Sequence, residues 1–223
     1  MKHMQRDLEQ LKRHVLTMGA LVEQATNWAI TALVDRRVEL ARDVMVGDNQ
    51  IDQMELMIEE ECLKLLALHQ PVAGDLRFVV SVMKVNNDLE RMGDLAINIA
   101  ERAAFLAEEP PLSVPLDFPR MAEVVRRMVR DSLDSLVRLD TDLARRVCVA
   151  DDEVDEINRG MFVRIEDVMR SDPESVERAV HSLSASRHLE RIADLATNIA
   201  EDVVFMVEAE VIKHRHEDFR HGK

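Results

Sequence analysis

Two copies of one acidic pattern carry the chemistry of this chain. Leu89-Glu90-Arg91-Met92-Gly93-Asp94-Leu95-Ala96-Ile97-Asn98-Ile99-Ala100-Glu101 returns one hundred positions later as Leu189-Glu190-Arg191-Ile192-Ala193-Asp194-Leu195-Ala196-Thr197-Asn198-Ile199-Ala200-Glu201. On a helix, at about 100° per residue, Glu90, Asp94, Asn98 and Glu101 stay within one narrow sector, as do Glu190, Asp194, Asn198 and Glu201. Each copy is therefore a ladder of oxygen ligands along one helix edge. Like charges one turn apart cost a few tenths of a kcal/mol each on an isolated helix. A solvated acidic face explains one such ladder, but the same arrangement with the same Asn appears twice.

Further acids complete each half. Asp48 and Asp52 are spaced i, i+4, and at an offset of 103 they align with Asp151 and Asp155, because Ile51-Asp52 then matches Val154-Asp155. Asp48 also suits a helix cap, and Asp152 with Glu156 offers a competing register. If the helices carrying these acids lie antiparallel to the ladders, four carboxylates and an amide converge in each half. Such a cluster is tolerable only with cations present or with raised pKa values. Oxygen-only ligands favour hard cations, Mg²⁺, Mn²⁺, Ca²⁺ or Fe³⁺, with more than one ion per half allowed, and Zn²⁺ is less expected. Glu55 and Glu59 extend the line in the first half, where the second has Asn158 and Phe162, so the first half reads as the more acidic.

The elements that must position these acids are helices. Six Gly and six Pro in 223 residues, no Tyr, and an abundance of Ala, Leu, Val, Met, Glu and Arg indicate an all-α chain. Leu8, Leu11, Val15, Met18, Leu21, Val22, Ala25, Ala29 and Leu33 repeat at helical spacing and give a first long helix, with Trp28 near its end expected to pack. A second helix is read over 36–68. Gly47 looks like a stop, but Ala150 aligns with it, so no turn is required there. A third helix starts between Val72 and Asp75 and ends near Ala107. Its apolar positions Leu76, Val79, Val80 and Met83 precede the acids in the same sector, as Val176, Val180 and Leu183 do in the last helix. On that reading both helices leave the core on one side and open an acidic site.

Glu108-Glu109-Pro110-Pro111-Leu112-Ser113-Val114-Pro115 holds three of the six prolines and marks a linker. The chain divides into a first half over 1–108, a linker over 109–116 and a second half over 117–223 that ends in a polar tail. In the second half, helices are expected to open near Asp117 and near Asp140 to Asp142. Ser171-Asp172-Pro173-Glu174 then supplies a cap, a first-turn Pro and an early acid for the sixth. His214, His216 and His221 decorate the tail and read as a frayed terminus.

With 29 basic and 43 acidic side chains, the formal net charge of −14 repels phosphate backbones and anionic lipid, which argues against nucleic acid and membrane surfaces as partners. No apolar run approaches the roughly 20 residues of a membrane span, and the first residues lack a signal-peptide core. Cys62 and Cys148 stand singly among apolar helical positions, as reduced buried thiols would, so a cytoplasmic setting is expected.

The acid pairs, doubled over six helices, together with Gln70-Pro71-Val72-Ala73-Gly74-Asp75-Leu76-Arg77, resemble the PhoU family of accessory regulators of bacterial phosphate uptake over nearly the whole chain. Its Glu/Asp-x-x-x-Asp motif is present as Asp48 with Asp52, Glu90 with Asp94, Asp151 with Asp155, and Glu190 with Asp194. The resemblance implies two tandem antiparallel three-helix bundles, metal ions or clusters at the motifs, and a homodimer. It also implies contact with the ATPase of the phosphate ABC transporter and with a membrane sensor kinase, restraining uptake and the starvation response when phosphate is plentiful. Two positions depart from the pattern: Arg187 stands where the first copy has Asn87, and Glu210 occupies a place where a glycine often closes the last helix.

Two other functions compete. A carboxylate-bridged hydrolase or oxidase in a helical bundle would want Glu-x-x-His, which occurs nowhere here, and no nucleophile elbow or phosphate loop is present. A metal-free scaffold whose acidic grooves receive basic segments is the third reading.

Overall fold

The computed structural model describes residues 2–212, excepting the side chains of Lys2 and Asp48. His214, His216 and His221 lie outside the described residues. The described residues form six long helices: α1 (Lys2–Asp35), α2 (Val38–His69), α3 (Ala73–Glu108), α4 (Phe118–Arg138), α5 (Thr141–Ser171) and α6 (Val176–Glu208). α2 runs unbroken through Gly47, as the alignment with Ala150 requires.

Local chemistry sets the helix ends. Asp140 caps α5, its carboxylate accepting from the Leu143 N–H at 2.9 Å, which satisfies one of the donors a helix start leaves orphaned. Asp172 accepts from the Glu174 N–H at 3.2 Å over a short 3₁₀ turn, Pro173–Ser175, that leads into α6. α2 stops at Gln70 in the left-handed region (φ 46°), its N–H returning to the Leu66 carbonyl, and Pro71 prevents continuation. Ala209 closes α6 in the same way (φ 60°), so the left-handed residue falls one position before Glu210.

α1 packs on α2 and α3, and α4 packs on α5 and α6. The halves join through α3 against α6 and, to a lesser extent, α1 against α4. Lys84 near the start of α3 pairs with Asp202 near the end of α6 at 3.1 Å. Phe105 near the end of α3 stacks on His181 near the start of α6, ring centroids 3.8 Å apart. The two helices therefore run antiparallel. One continuous set of buried side chains passes through all six helices, including Leu11, Ile58, Leu89, Met128, Met161 and Leu189. Burial of each such side chain contributes about 1.5–3 kcal/mol. α2 and α5 touch only helices of their own half, so the pairs α2/α3 and α5/α6 face outward on opposite sides of the shared centre.

One sequence expectation is corrected here. Val79 is fully buried, but Leu76, Val80, Val176 and Val180 are exposed, from 36% to 50%. α3 is already covered by α1, α2 and α6, and the sector it shares with the acids is what remains for solvent. The line therefore runs along the edge of the core, with Leu76 and Val80 outside it and Val79 inside, rather than leaving the core where the acids begin. No helix among the described residues is long and apolar enough to cross a membrane.

Candidate metal centre

In the second half α5 and α6 bring four carboxylates into electrostatic contact. Asp151 is half-buried on α5, and burial pushes its carboxyl up to about 7, with the charges of Asp194, Asp155, Asp152 and Glu190 adding to the rise. Glu190 is raised by burial, then by Asp194 and Asp155, against the lowering pull of Arg187 and Arg191. Asp194 is raised by burial and by Asp155, with Arg191 opposing. The register Asp151 with Asp155 is the one that faces the α6 ladder. Asp151 Oδ1 is buried and has no hydrogen-bond partner.

Further along the ladder Asn198 is half-buried, and Glu201 is buried at 6% exposure. Glu201 lies close enough to Cys148 that, together with Asp151, it helps burial hold that thiol up at about 12. Cys62 is likewise pushed up to about 12, mainly by burial. Both cysteines are free and buried.

The first half is more open. Asp52 and Asp94 are exposed, Glu90 and Asn98 half-buried. Asp48 lies within α2, its side chain outside the described residues. Glu101 is turned to Arg102 at 3.0 Å, away from its counterpart's buried role. The residues that differ between halves also meet differently. Ser186 donates to the Asn158 side-chain oxygen, whereas in the first half Asn86 donates to the Glu55 backbone carbonyl at 3.0 Å. Glu55 and Glu59 extend the first half's line, but the second half buries Asp155 and Glu201 more deeply than the first buries Asp52 and Glu101.

The donors facing one another in the second half are carboxylate oxygens, the ligand type that hard cations prefer. Among the described residues no group of three or more carboxylate, imidazole or thiol side chains is drawn close enough to hold an ion as placed.

Among the described residues, six helices in two sequence-related halves, with facing carboxylates between α5 and α6, define a class of duplicated three-helix proteins. A family model described as the PhoU domain matches residues 15–103 and again 118–203, and the chain belongs to the PhoU family. The phosphate-specific transport system accessory protein PhoU homolog of Aquifex aeolicus is 44% identical over 211 residues, covering 95% of this chain and 96% of its own. The Escherichia coli protein of that description, PhoU, is 34% identical over 210 residues, covering 93% and 86%. The crystal structure of PhoU from Pseudomonas aeruginosa superposes with a TM-score of 0.90 at 40% identity, covering 92% of this chain and 99% of that one. A phosphate transport system regulatory protein PhoU from Streptococcus pneumoniae gives 0.86 at 30% identity, covering 94% and 99%.

Proposed function

We propose that this chain regulates phosphate uptake and phosphate-starvation signalling by protein contact rather than by catalysis, with cations held between α2 and α3 and between α5 and α6. The observation that carries the metal reading is the facing set Asp151, Asp155, Glu190 and Asp194, with its buried, unpartnered oxygen. In the second half these four, with Asn198 and Glu201, would hold the ions; in the first, Asp48, Asp52, Glu90, Asp94, Asn98 and Glu101. Bound cations would supply positive charge that offsets the carboxylates and ties each helix pair together. Mg²⁺, Mn²⁺, Ca²⁺ and iron suit the oxygen donors best. The names of its relatives support a place beside a phosphate transporter. The partners proposed are that transporter's ATPase and a membrane sensor kinase, met in the cytoplasm by a homodimer.

Elemental analysis of protein never exposed to chelator tests the metal reading. Wild type should carry bound metal, and Glu90→Ala with Asp94→Ala, or Asp151→Ala with Asp155→Ala, should remove the share belonging to that half. Equal and negligible metal in wild type and both double variants, with equal melting temperatures, leaves the acidic scaffold as the surviving reading.

A further inference from the structure

Between α1, α2 and the middle of α3 lies a cavity of about 180 Å³ that the acidic ladders do not use. Its floor is apolar, with Ile51 and Val44. At its rim stand Trp28, Gln24, Asp43 and Gln50, all exposed. Trp28 keeps 37% of its surface in solvent.

The other half has a groove at the equivalent place, and its chemistry is inverted. At the offset of 103, Gln24, Trp28, Asp43 and Gln50 correspond to Arg127, Asp131, Arg146 and Glu153, and these four line the second groove. There an arginine is built in, since Arg127 already pairs with Glu153 at 3.6 Å. In the first half an indole, a carboxylate and two amides line the rim, and among the described residues no basic one lines the cavity.

We propose that this cavity receives an arginine side chain of a partner protein. The apolar floor takes the methylenes, the indole face takes the weakly hydrated guanidinium plane, and Asp43 with the two amide oxygens accepts its N–H donors. A net charge of −14 favours a basic partner segment and disfavours an anionic occupant. The inference deepens the reading of this chain as one that acts through protein contact, but none of the described lining residues is a candidate metal ligand.

Trp28 is the only Trp and the chain has no Tyr, so intrinsic fluorescence reports on this cavity alone. The probe is acetyl-Gly-Ser-Gly-Arg-Gly-Ser-Gly-amide, titrated into the full chain after chelator treatment, beside the same peptide with neutral citrulline for arginine. The arginine peptide should give a saturable change and the citrulline peptide should bind roughly tenfold more weakly. Asp43→Asn should weaken the arginine peptide by a similar factor. Gly47→Leu should block it, and it should fold, because a Cβ at Gly47 meets nothing within 4 Å and the aligned residue is Ala150. An equal response to both peptides overturns the proposal, as does an unchanged affinity in both variants. Because the titration is metal-free, its failure sinks the cavity alone, and a protein without metal ions leaves the cavity standing.

Discussion

At Asp151, burial and neighbouring acids oppose the charged form, and this gives the metal-free protein a definite pH signature. A carboxyl whose folded pKa is raised, here to about 7 from an ordinary 3.8, binds more protons folded than unfolded between those values. Its contribution to stability is therefore present at low pH and lost as pH rises through about 7. The advantage of Asp151→Asn over the chelated wild type should grow as pH rises from about 4 to about 7, and so be larger at pH 8 than at pH 5. Discounted for its partial exposure, the gain is about 1–2 kcal/mol, roughly 3–6 °C in melting temperature. Taking the difference between variant and wild type cancels His181 and His188, whose pKa values are lowered by burial and whose pH dependence has the opposite sign. A difference that shrinks between pH 5 and 8 contradicts the assignment. Adding Mn²⁺ at pH 8 should raise the wild type's melting temperature and raise that of Asp151→Asn by less, since the variant keeps the acids of the first half.

Between α2 and α3 the fit is set by a glycine. A Cβ on Gly93 would lie 3.1 Å from Cδ1 and 3.3 Å from Cγ2 of Ile51, closer than packed side chains comfortably sit. In the other half the aligned pair is Ala193 and Val154, a methyl gained on one helix and lost on the other. Gly93→Ala alone should destabilise by about 1 kcal/mol, the crowding outweighing the better helix propensity of Ala. Adding Ile51→Val should recover most of that loss, and a double-mutant cycle in denaturant should show the coupling. Additive effects would mean that Ile51 moves aside freely. The helices themselves were legible in the sequence, because long amphipathic runs, Pro71, the Pro110-Pro111 linker and the caps at Asp140 and Asp172 are local signals. The facing of Asp151, Asp155, Glu190 and Asp194 was legible too, through the two offsets that relate the halves. The unequal fate of the ladder ends was not, since Glu101 and Glu201 follow the same Ile-Ala pair, and what separates them is the next residue. Arg102 draws Glu101 outward, whereas position 202 is an acid committed to Lys84 across the molecule. Nor did the run of α1 show that Trp28 stands at a rim, a fact that depends on how α2 leaves a gap beside it.

Over the whole molecule, the duplication in sequence does not carry over into two separate cores. The buried side chains form one set across α3 and α6, and Asp202, 2% exposed, is among the charged groups sealed into that seam. Arg126 of α4 adds a second tie, donating to the Thr31 hydroxyl of α1 at 2.6 Å. Halves joined through a common apolar core cannot open independently without exposing the faces of α3 and α6, so unfolding should be one transition, with calorimetric and van't Hoff enthalpies in agreement. Lys84→Ala tests the seam directly. Removing the ammonium takes away one interaction of the buried Asp202, and because Lys84 itself is partly exposed the loss should be about 1–3 kcal/mol, below that of a fully enclosed pair. The single melting peak should move down by several degrees and stay single. A variant that instead splits into two peaks, one near the wild-type temperature, would show that each half holds its own fold and that the seam only docks them. In that case ion binding in one half would leave the other's stability untouched, whereas a shared core lets either site stabilise the entire chain.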